Sequence, residues 1–274
     1  MAGLLKYYTK QASVTSMEAS FNMDYDDLLL DAENYARRET EAFYSAVFAL
    51  MFSQPSPVIT PDLRVQITEL IDDLIQKIYS YTDGLYRPWY TESFGHLGNS
   101  SVDQVNTQYG GFASSAASLR SGAIATGILA TIEKTLESTS GELAAASVSD
   151  IEKKISHLSN RLAITETNSA VGGIIEATAV ASFGTSLLFK RWIAVGDERV
   201  RHTHRIAASK KPIPVTQLYL VGDTFMRYPA DNQAFGGNVA GEIINCRCRS
   251  LVLPKTFTQP NSFSLNSFLV GNTL

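Results

Sequence analysis

The spacing of apolar side chains predicts helices through the N-terminal half of the chain and beyond. Apolar residues between positions 36 and 52 recur at helical spacing. Thr60-Pro61 predicts the start of a second helix, because threonine is a good N-cap and proline is favoured at the first helical position. Asp83-Gly84 predicts the end of that helix. Residues 102–139 predict a further helical stretch with a break near Gly110-Gly111.

The pattern changes to short apolar runs after Phe183-Gly184. Residues 187–194 predict a strand, residues 222–238 read as a long irregular loop, and further strands are predicted at 212–215, 218–221 and 249–253. Helices followed by short strands predict an α+β fold, with a mostly helical N-terminal region and a small mixed-sheet C-terminal domain packed on helices. The predicted boundaries are 1–140 for the helical region, 145–254 for the C-terminal domain and 255–274 for an extended tail.

Charge is distributed unevenly between the two parts of the chain. Residues 1–150 carry 9 Lys/Arg and 19 Asp/Glu, whereas residues 151–274 carry 14 and 8. The N-terminal part is therefore acidic and the C-terminal part basic. Segregated charge indicates either two regions that face different partners or simply a more acidic solvated surface on one of them.

Nothing in the sequence predicts a membrane partner or secretion. No apolar run approaches the ~20 residues that a membrane-spanning helix needs, and the N-terminus lacks the features of a secretory signal. Cys246 and Cys248 are the only cysteines. A disulfide between them would close a small, strained ring, so we expect free thiols and synthesis in a reducing cytosol.

Two histidines and both cysteines form closely spaced pairs in the C-terminal domain. Side chains two residues apart in an extended strand face the same side, so the pairs can supply four tetrahedral ligands. A structural zinc ion suits that set, which comprises His202, His204, Cys246 and Cys248. The alternative is that the thiols only fill space in a core. The neighbouring arginines favour this alternative, because their positive charges repel a cation.

The same residues also allow an enzymatic interpretation. A Cys–His enzyme or toxin-like effector using His204 and Cys246 needs an activated thiolate, a hydrogen-bonded imidazole and an orienting third group. The cysteine segment predicts a strand, which offers no helix N-terminus to activate the thiol. Arg161, Thr165 and Glu166 lack the pattern of an ADP-ribosyltransferase site, and positions i and i+4 of a helix favour local support instead.

The densest basic run of the chain surrounds His202 and His204, from position 199 to position 211. It comprises Arg199, Arg201, Arg205, Lys210 and Lys211. Such a cluster can contact nucleic-acid phosphates, with an affinity that falls steeply with salt. Asp197 and Glu198 stand beside the run, so internal ion pairs are an equally good explanation, and the aromatic residues of a single-strand-binding surface are missing.

Three sequence motifs together resemble the phage Mu F-like head-morphogenesis family of minor head proteins. The first is Thr165-Glu166-Thr167-Asn168-Ser169-Ala170, the second runs from Trp192 through Gly196-Asp197-Glu198-Arg199-Val200-Arg201-His202-Thr203-His204, and the third is Asn245-Cys246-Arg247-Cys248. They occur in the family's order within residues 145–254. The signature positions that the resemblance implies are Glu166, Asn168, Trp192, Asp197, Arg199, Arg201, His204, Asn245, Cys246 and Cys248.

The resemblance implies a non-enzymatic component of a phage head. Such a protein would be made in the cytoplasm of the bacterial host and carried in the virion, near the portal vertex or inside the capsid. Its expected partners are the portal protein, the major capsid protein and packaged double-stranded DNA. The alternatives are the Cys/His-dependent enzyme or toxin-like effector, and a DNA-binding packaging accessory protein that uses the basic run.

Overall fold

Long helices account for most of the N-terminal part of the chain, as the apolar spacing predicts. The computed structural model describes residues 14–52, 59–94, 101–139 and 148–254. The helices are α1 (Val14–Phe52), α2 (Pro61–Phe94), α3 (Val102–Tyr109), α4 (Phe112–Thr139), α5 (Val148–Phe183), α6 (His202–Ser209) and α7 (Val239–Ile243). Within those four ranges, no helix has the length and apolar character to cross a membrane.

Two predicted helix boundaries are confirmed by their local hydrogen bonds. The side-chain oxygen of Thr60 accepts the backbone N–H of Leu63 at 3.2 Å, so Thr60 caps the start of α2. Gly110 adopts a φ of 50° directly after α3, and its N–H donates to the carbonyl of Asn106. A glycine in the left-handed conformation ends a helix at little cost, which explains the break between α3 and α4.

The predicted end of α2 at Asp83-Gly84 is wrong. The helix continues through Gly84 and Pro88 to Phe94. Tyr86 and Tyr90 extend the buried face of α2 at helical spacing and are at most 1% exposed. The burial of these two rings outweighs the ~1 kcal/mol that a glycine and the ~3 kcal/mol that a proline cost in a helix interior.

Six short strands follow the helices and form two antiparallel sheets. They are β1 (Leu188–Ile193), β2 (Ile213–Pro214), β3 (Tyr219–Val221), β4 (Thr224–Met226), β5 (Phe235–Gly236) and β6 (Arg249–Pro254). One sheet has the order β2-β1-β6 and the other β3-β4-β5. The α+β prediction is confirmed, as are the strands predicted at β1, β2, β3 and β6. Strands β4 and β5 lie in the predicted loop.

The described residues form two main hydrophobic cores and a small third cluster of Val105, Tyr109 and Ala181. The larger core joins α1, α2, α4 and α5, and its most deeply buried aliphatic side chains include Ile67, Ile71, Ile75, Ile78, Ile174 and Ile175. Helix α5 also packs against β6, and the Tyr90 hydroxyl of α2 donates to the carbonyl of Val252 at 3.0 Å. The C-terminal strands are therefore attached directly to the helices.

The smaller core lies in the C-terminal part and holds both cysteines. It draws on both sheets, on α6 and on the segment between α7 and β6, and its members include Trp192, Tyr219, Val221, Met226, Ile243, Cys246 and Cys248. The predicted tail at 255–274 and the predicted domain boundary between 140 and 145 lie outside the described residues.

Candidate metal centre and adjoining cavity

His204, Cys246 and Cys248 come together in the smaller core. The Nδ1 atom of His204 lies 3.3 Å from Sγ of Cys248 and 3.6 Å from Sγ of Cys246. The potential ligand atoms of the three side chains all lie within 4.8 Å of one another. Each side chain is buried, with an exposed fraction of 1% for His204, 1% for Cys246 and 4% for Cys248. The three residues are therefore close enough to bind one metal ion.

The chain just before the cysteines is fixed by contacts with α6 and α5. The Arg201 guanidinium, at the start of α6, donates to the carbonyl oxygens of Glu242 and Ile244. The backbone N–H of Asn245 donates to Oγ1 of Thr165 at 3.0 Å. Asn245 has a φ of 55°, a left-handed conformation that asparagine tolerates better than most residues. These contacts turn the chain so that both thiols reach the imidazole.

A carboxylate and an indole ring fix the orientation of the His204 imidazole. Its Nε2 atom lies 2.9 Å from Oε2 of Glu242, and the same oxygen accepts the Thr203 hydroxyl at 2.9 Å. The ring also packs edge-on against Trp192, with 5.2 Å between the centroids. With Nε2 directed at a carboxylate, Nδ1 is the nitrogen that faces the two sulfur atoms.

The separations within this cluster are close to those between the ligands of a tetrahedral metal ion. Zinc–sulfur bonds of ~2.3 Å and zinc–nitrogen bonds of ~2.0 Å place tetrahedral ligand atoms ~3.5–3.8 Å apart, close to the separations of His204 Nδ1 from the two thiols. In such sites a carboxylate often accepts the second N–H of a ligating histidine and so fixes the orientation of its ring. Glu242 occupies that position. Sequence reasoning missed Glu242, although it stands in the same short segment as the cysteines.

The two thiols have opposite pKa shifts. A hydrogen bond from Cys246, together with the nearby His204 imidazole, lowers the pKa of the Cys248 thiol. The thiolate of Cys248 and burial together raise the pKa of Cys246 well above its usual range. These opposite shifts favour a thiolate at Cys248 and a protonated thiol at Cys246 when no metal is bound.

We expect the metal-free protein to carry one thiolate at neutral pH. Cys248→Ser should abolish most of the ultraviolet thiolate absorbance, because serine removes the group with the lowered pKa. In the wild type the absorbance should fall as the pH is lowered towards the folded-state pKa of Cys248, since protonation then becomes favourable. An absorbance that rises only in the ordinary range of cysteine, ~8–9, would contradict the expectation.

His202 does not join the cluster. It is exposed at the start of α6, whereas His204 is buried. The prediction of four ligands assumes that both pairs are extended, but residues two apart on a helix point in directions about 200° apart. The cluster therefore offers three candidate metal ligands among the described residues.

Comparison with protein-family models, with curated proteins and with solved structures finds no match to this chain. The residues of the three sequence motifs nevertheless contact one another. Thr165 of the first motif binds the Asn245 amide of the third, Trp192 of the second packs on His204, and Asp197 pairs with Arg247.

The first motif supports the fold from within α5. Glu166, which is 1% exposed, accepts two hydrogen bonds from the Arg120 guanidinium of α4 at 2.8 and 2.6 Å. Asn168 donates to Glu33 of α1 at 3.0 Å. Burial raises the pKa of Glu33. Thr165 donates to the carbonyl of Arg161 at 2.8 Å, the local support that the i, i+4 spacing predicts. These side chains tie α5 to its neighbours.

A cavity of about 440 Å³ adjoins the metal-binding cluster. All three cluster residues line it, together with residues of α5 and of the loop after β1. Four arginines contribute to the wall, namely Arg161, Arg199, Arg201 and Arg247. Sequence reasoning named Arg199 and Arg201 as candidates but missed Arg161 and Arg247 as their neighbours in space, because these come from distant segments.

The predicted basic run divides into two groups. Arg199 and Arg201 line the cavity, whereas Arg205, Lys210 and Lys211 do not. Arg205 donates to the carbonyl of Glu198 at 3.3 Å, and Lys210 donates to the carbonyl of Leu220 at 3.2 Å. The side chains of these three residues are exposed. Only Arg199 and Arg201 therefore contribute to the cavity wall beside the cluster.

Proposed function

We propose that this protein is a non-enzymatic minor component of a phage head, with a C-terminal domain organised by a zinc ion on His204, Cys246 and Cys248. The observation that carries the proposal is the convergence of the three motifs. Residues separated by up to 80 positions, such as Thr165 and Asn245, meet at the cysteine segment. Contacts between the residues of the three motifs indicate that the motifs form one structural unit. A structural role is also what the family resemblance implies.

A stabilising role for the zinc ion is supported by the setting of its ligands. The domain has a small core and short strands, and bound metal contributes its binding free energy to folding. The ion would join α6, which carries His204, to the segment that leads into β6. Two thiolates and one imidazole also neutralise the ion, which lowers the cost of placing it beside arginines such as Arg247.

The proposed setting in the virion follows the resemblance. The protein would be synthesised in the bacterial cytoplasm and incorporated near the portal vertex or on the inner face of the capsid, in contact with the portal or major capsid protein and packaged DNA. It would act in head morphogenesis and in DNA packaging or delivery.

We expect the protein to be present in purified, DNA-filled particles at far fewer copies than the major capsid protein. Quantitative mass spectrometry of the particles measures this ratio against the portal protein. Particles made with Cys246→Ser should contain much less of the protein, because the domain loses a metal ligand, while His202→Asn should be incorporated normally. Absence of the wild-type protein from the particles would overturn the proposal.

A Cys–His–Glu hydrolase is the second candidate, with Cys248 in place of the predicted Cys246, because the Cys248 thiol lies nearer to His204. Cys248, His204 and Glu242 form a continuous chain of contacts. The order matches a nucleophile, a base and an orienting carboxylate. Two thiols at similar distances from one nitrogen are needed by a metal site but not by such a triad. Cys246→Ser separates the two proposals: it removes a zinc ligand but spares the Cys248 nucleophile.

A further inference from the structure

The cavity beside the metal-binding cluster has an unusual wall for its size. Arg161, Arg199, Arg201 and Arg247 all line it, and none of the described residues in the wall is acidic. Like charges repel one another across a space of about 440 Å³, and that repulsion is relieved when an anion enters.

The four guanidinium groups differ in the hydrogen bonds and ion pairs that they form with the rest of the protein. Arg247 pairs with Asp197, and Arg201 donates to two backbone carbonyls, which leaves its charge uncompensated. The side chains of Arg161 and Arg199 make no hydrogen bond or ion pair within residues 14–52, 59–94, 101–139 and 148–254. Two exposed guanidinium forks at the wall are therefore free to bind a ligand.

We infer that this cavity binds a phosphate monoester. Four arginine charges face the Asp197 carboxylate and, in the metal-free protein, the Cys248 thiolate. The remaining positive charge exceeds what one carboxylate ligand neutralises, whereas a phosphate monoester carries ≈ −1.5 to −2 near neutral pH. Each guanidinium group can donate two parallel N–H hydrogen bonds to a pair of phosphate oxygens. The volume lies within the ~300–1,000 Å³ of pockets for small ligands, so the group that carries the phosphate also fits. Asn160, Asn245 and His157 in the wall can hydrogen-bond that group.

This site goes beyond the proposed structural role and does not depend on the zinc ion. Its phosphate contacts come from arginines, whereas the metal uses His204, Cys246 and Cys248, which form another part of the same wall. The phosphate can come from a free nucleotide or from the 5′ end of a nucleic-acid strand. Both sources present the same chemical group.

The test is isothermal titration calorimetry of the full chain with inorganic phosphate, AMP and a short 5′-phosphorylated DNA strand. We expect phosphate and AMP to bind, with an affinity that falls as salt is added. Arg161→Gln/Arg199→Gln should weaken AMP binding by about tenfold or more, since two charge-assisted contacts are lost. The matched control, Arg205→Gln/Lys211→Gln, removes the same charge outside the cavity and should change the affinity by no more than about twofold.

Different outcomes separate the sources and overturn the inference. A phosphorylated strand that binds more tightly than its unphosphorylated counterpart, and more tightly than AMP, identifies a nucleic-acid end, whereas the reverse order identifies a free nucleotide. Equal weakening by both double variants would show general surface attraction and overturn the site. Failure of phosphate and AMP to bind would also overturn it. Binding that requires zinc loading and survives Arg161→Gln/Arg199→Gln would assign the anion to the metal instead.

Discussion

Replacing Arg120 with leucine should lower the free energy of unfolding by about 3–5 kcal/mol. Glu166 is 1% exposed and accepts two hydrogen bonds, 2.8 and 2.6 Å long, from this one guanidinium. Without Arg120 the carboxylate would remain buried without its cation, which is the most costly way to break such a pair. Urea denaturation followed by circular dichroism measures the change.

Two further variants make the measurement specific to the buried pair. Arg64 forms an ion pair with Glu133, but the two side chains are 49% and 37% exposed. Arg64→Leu should therefore change stability by less than about 1 kcal/mol. Adding Glu166→Gln to Arg120→Leu should restore part of the lost stability, because it removes the buried charge. A change below about 1 kcal/mol for Arg120→Leu alone would show that Glu166 is not held as an anion by this pair.

Zinc binding should be lost in each of three ligand variants and retained in a fourth, matched variant. Cys246→Ser, Cys248→Ser and His204→Asn each remove one ligand, whereas His202→Asn alters the exposed histidine two residues away. We expect a wild-type chain to bind one zinc ion and to gain ~4 kcal/mol of stability at a free zinc concentration ~1,000 times the dissociation constant. Metal analysis after dialysis and zinc-dependent thermal unfolding measure both effects.

Two details of the zinc experiment test the geometry itself. Glu242→Gln should weaken the binding of zinc by ~10–100-fold without abolishing it, because Glu242 orients the His204 imidazole and is not itself a ligand. The affinity should also fall as the pH is lowered, since protons compete with zinc for the thiolates. Retention of zinc by Cys246→Ser would exclude the two-thiol site.

Local sequence patterns predicted the elements whose determinants are close together in the chain. The start of α2 follows from Thr60-Pro61, and the break after α3 follows from Gly110. The end of α2 could not be predicted in this way, because Tyr86 and Tyr90 gain their stability from distant partners such as Val252. Strands β4 and β5, with three and two residues, are too short to display an alternating pattern.

The candidate site was predicted in its residue types but not in its full membership. Cysteine and histidine pairs indicated a metal site, and three of the four predicted ligands lie together. The position of His202 depended on whether residues 202–209 are helical or extended, which the short H-x-H spacing does not reveal. The cavity depends on Arg161 and Arg247, which are 86 positions apart in the chain, and only the fold brings them to one wall.

The pairing of β1 with β6 has a consequence for synthesis on the ribosome. The central strand β1 ends at Ile193, but its partner along the full length begins only at Arg249, and two of the three proposed metal ligands directly precede that partner. The helices can pack while translation continues, because domains fold progressively from the N-terminus. The sheet and the proposed metal site can form only when nearly the whole C-terminal part has emerged. A nascent chain that stops before Cys246 therefore has one ligand, His204, and an unpaired strand edge open to aggregation.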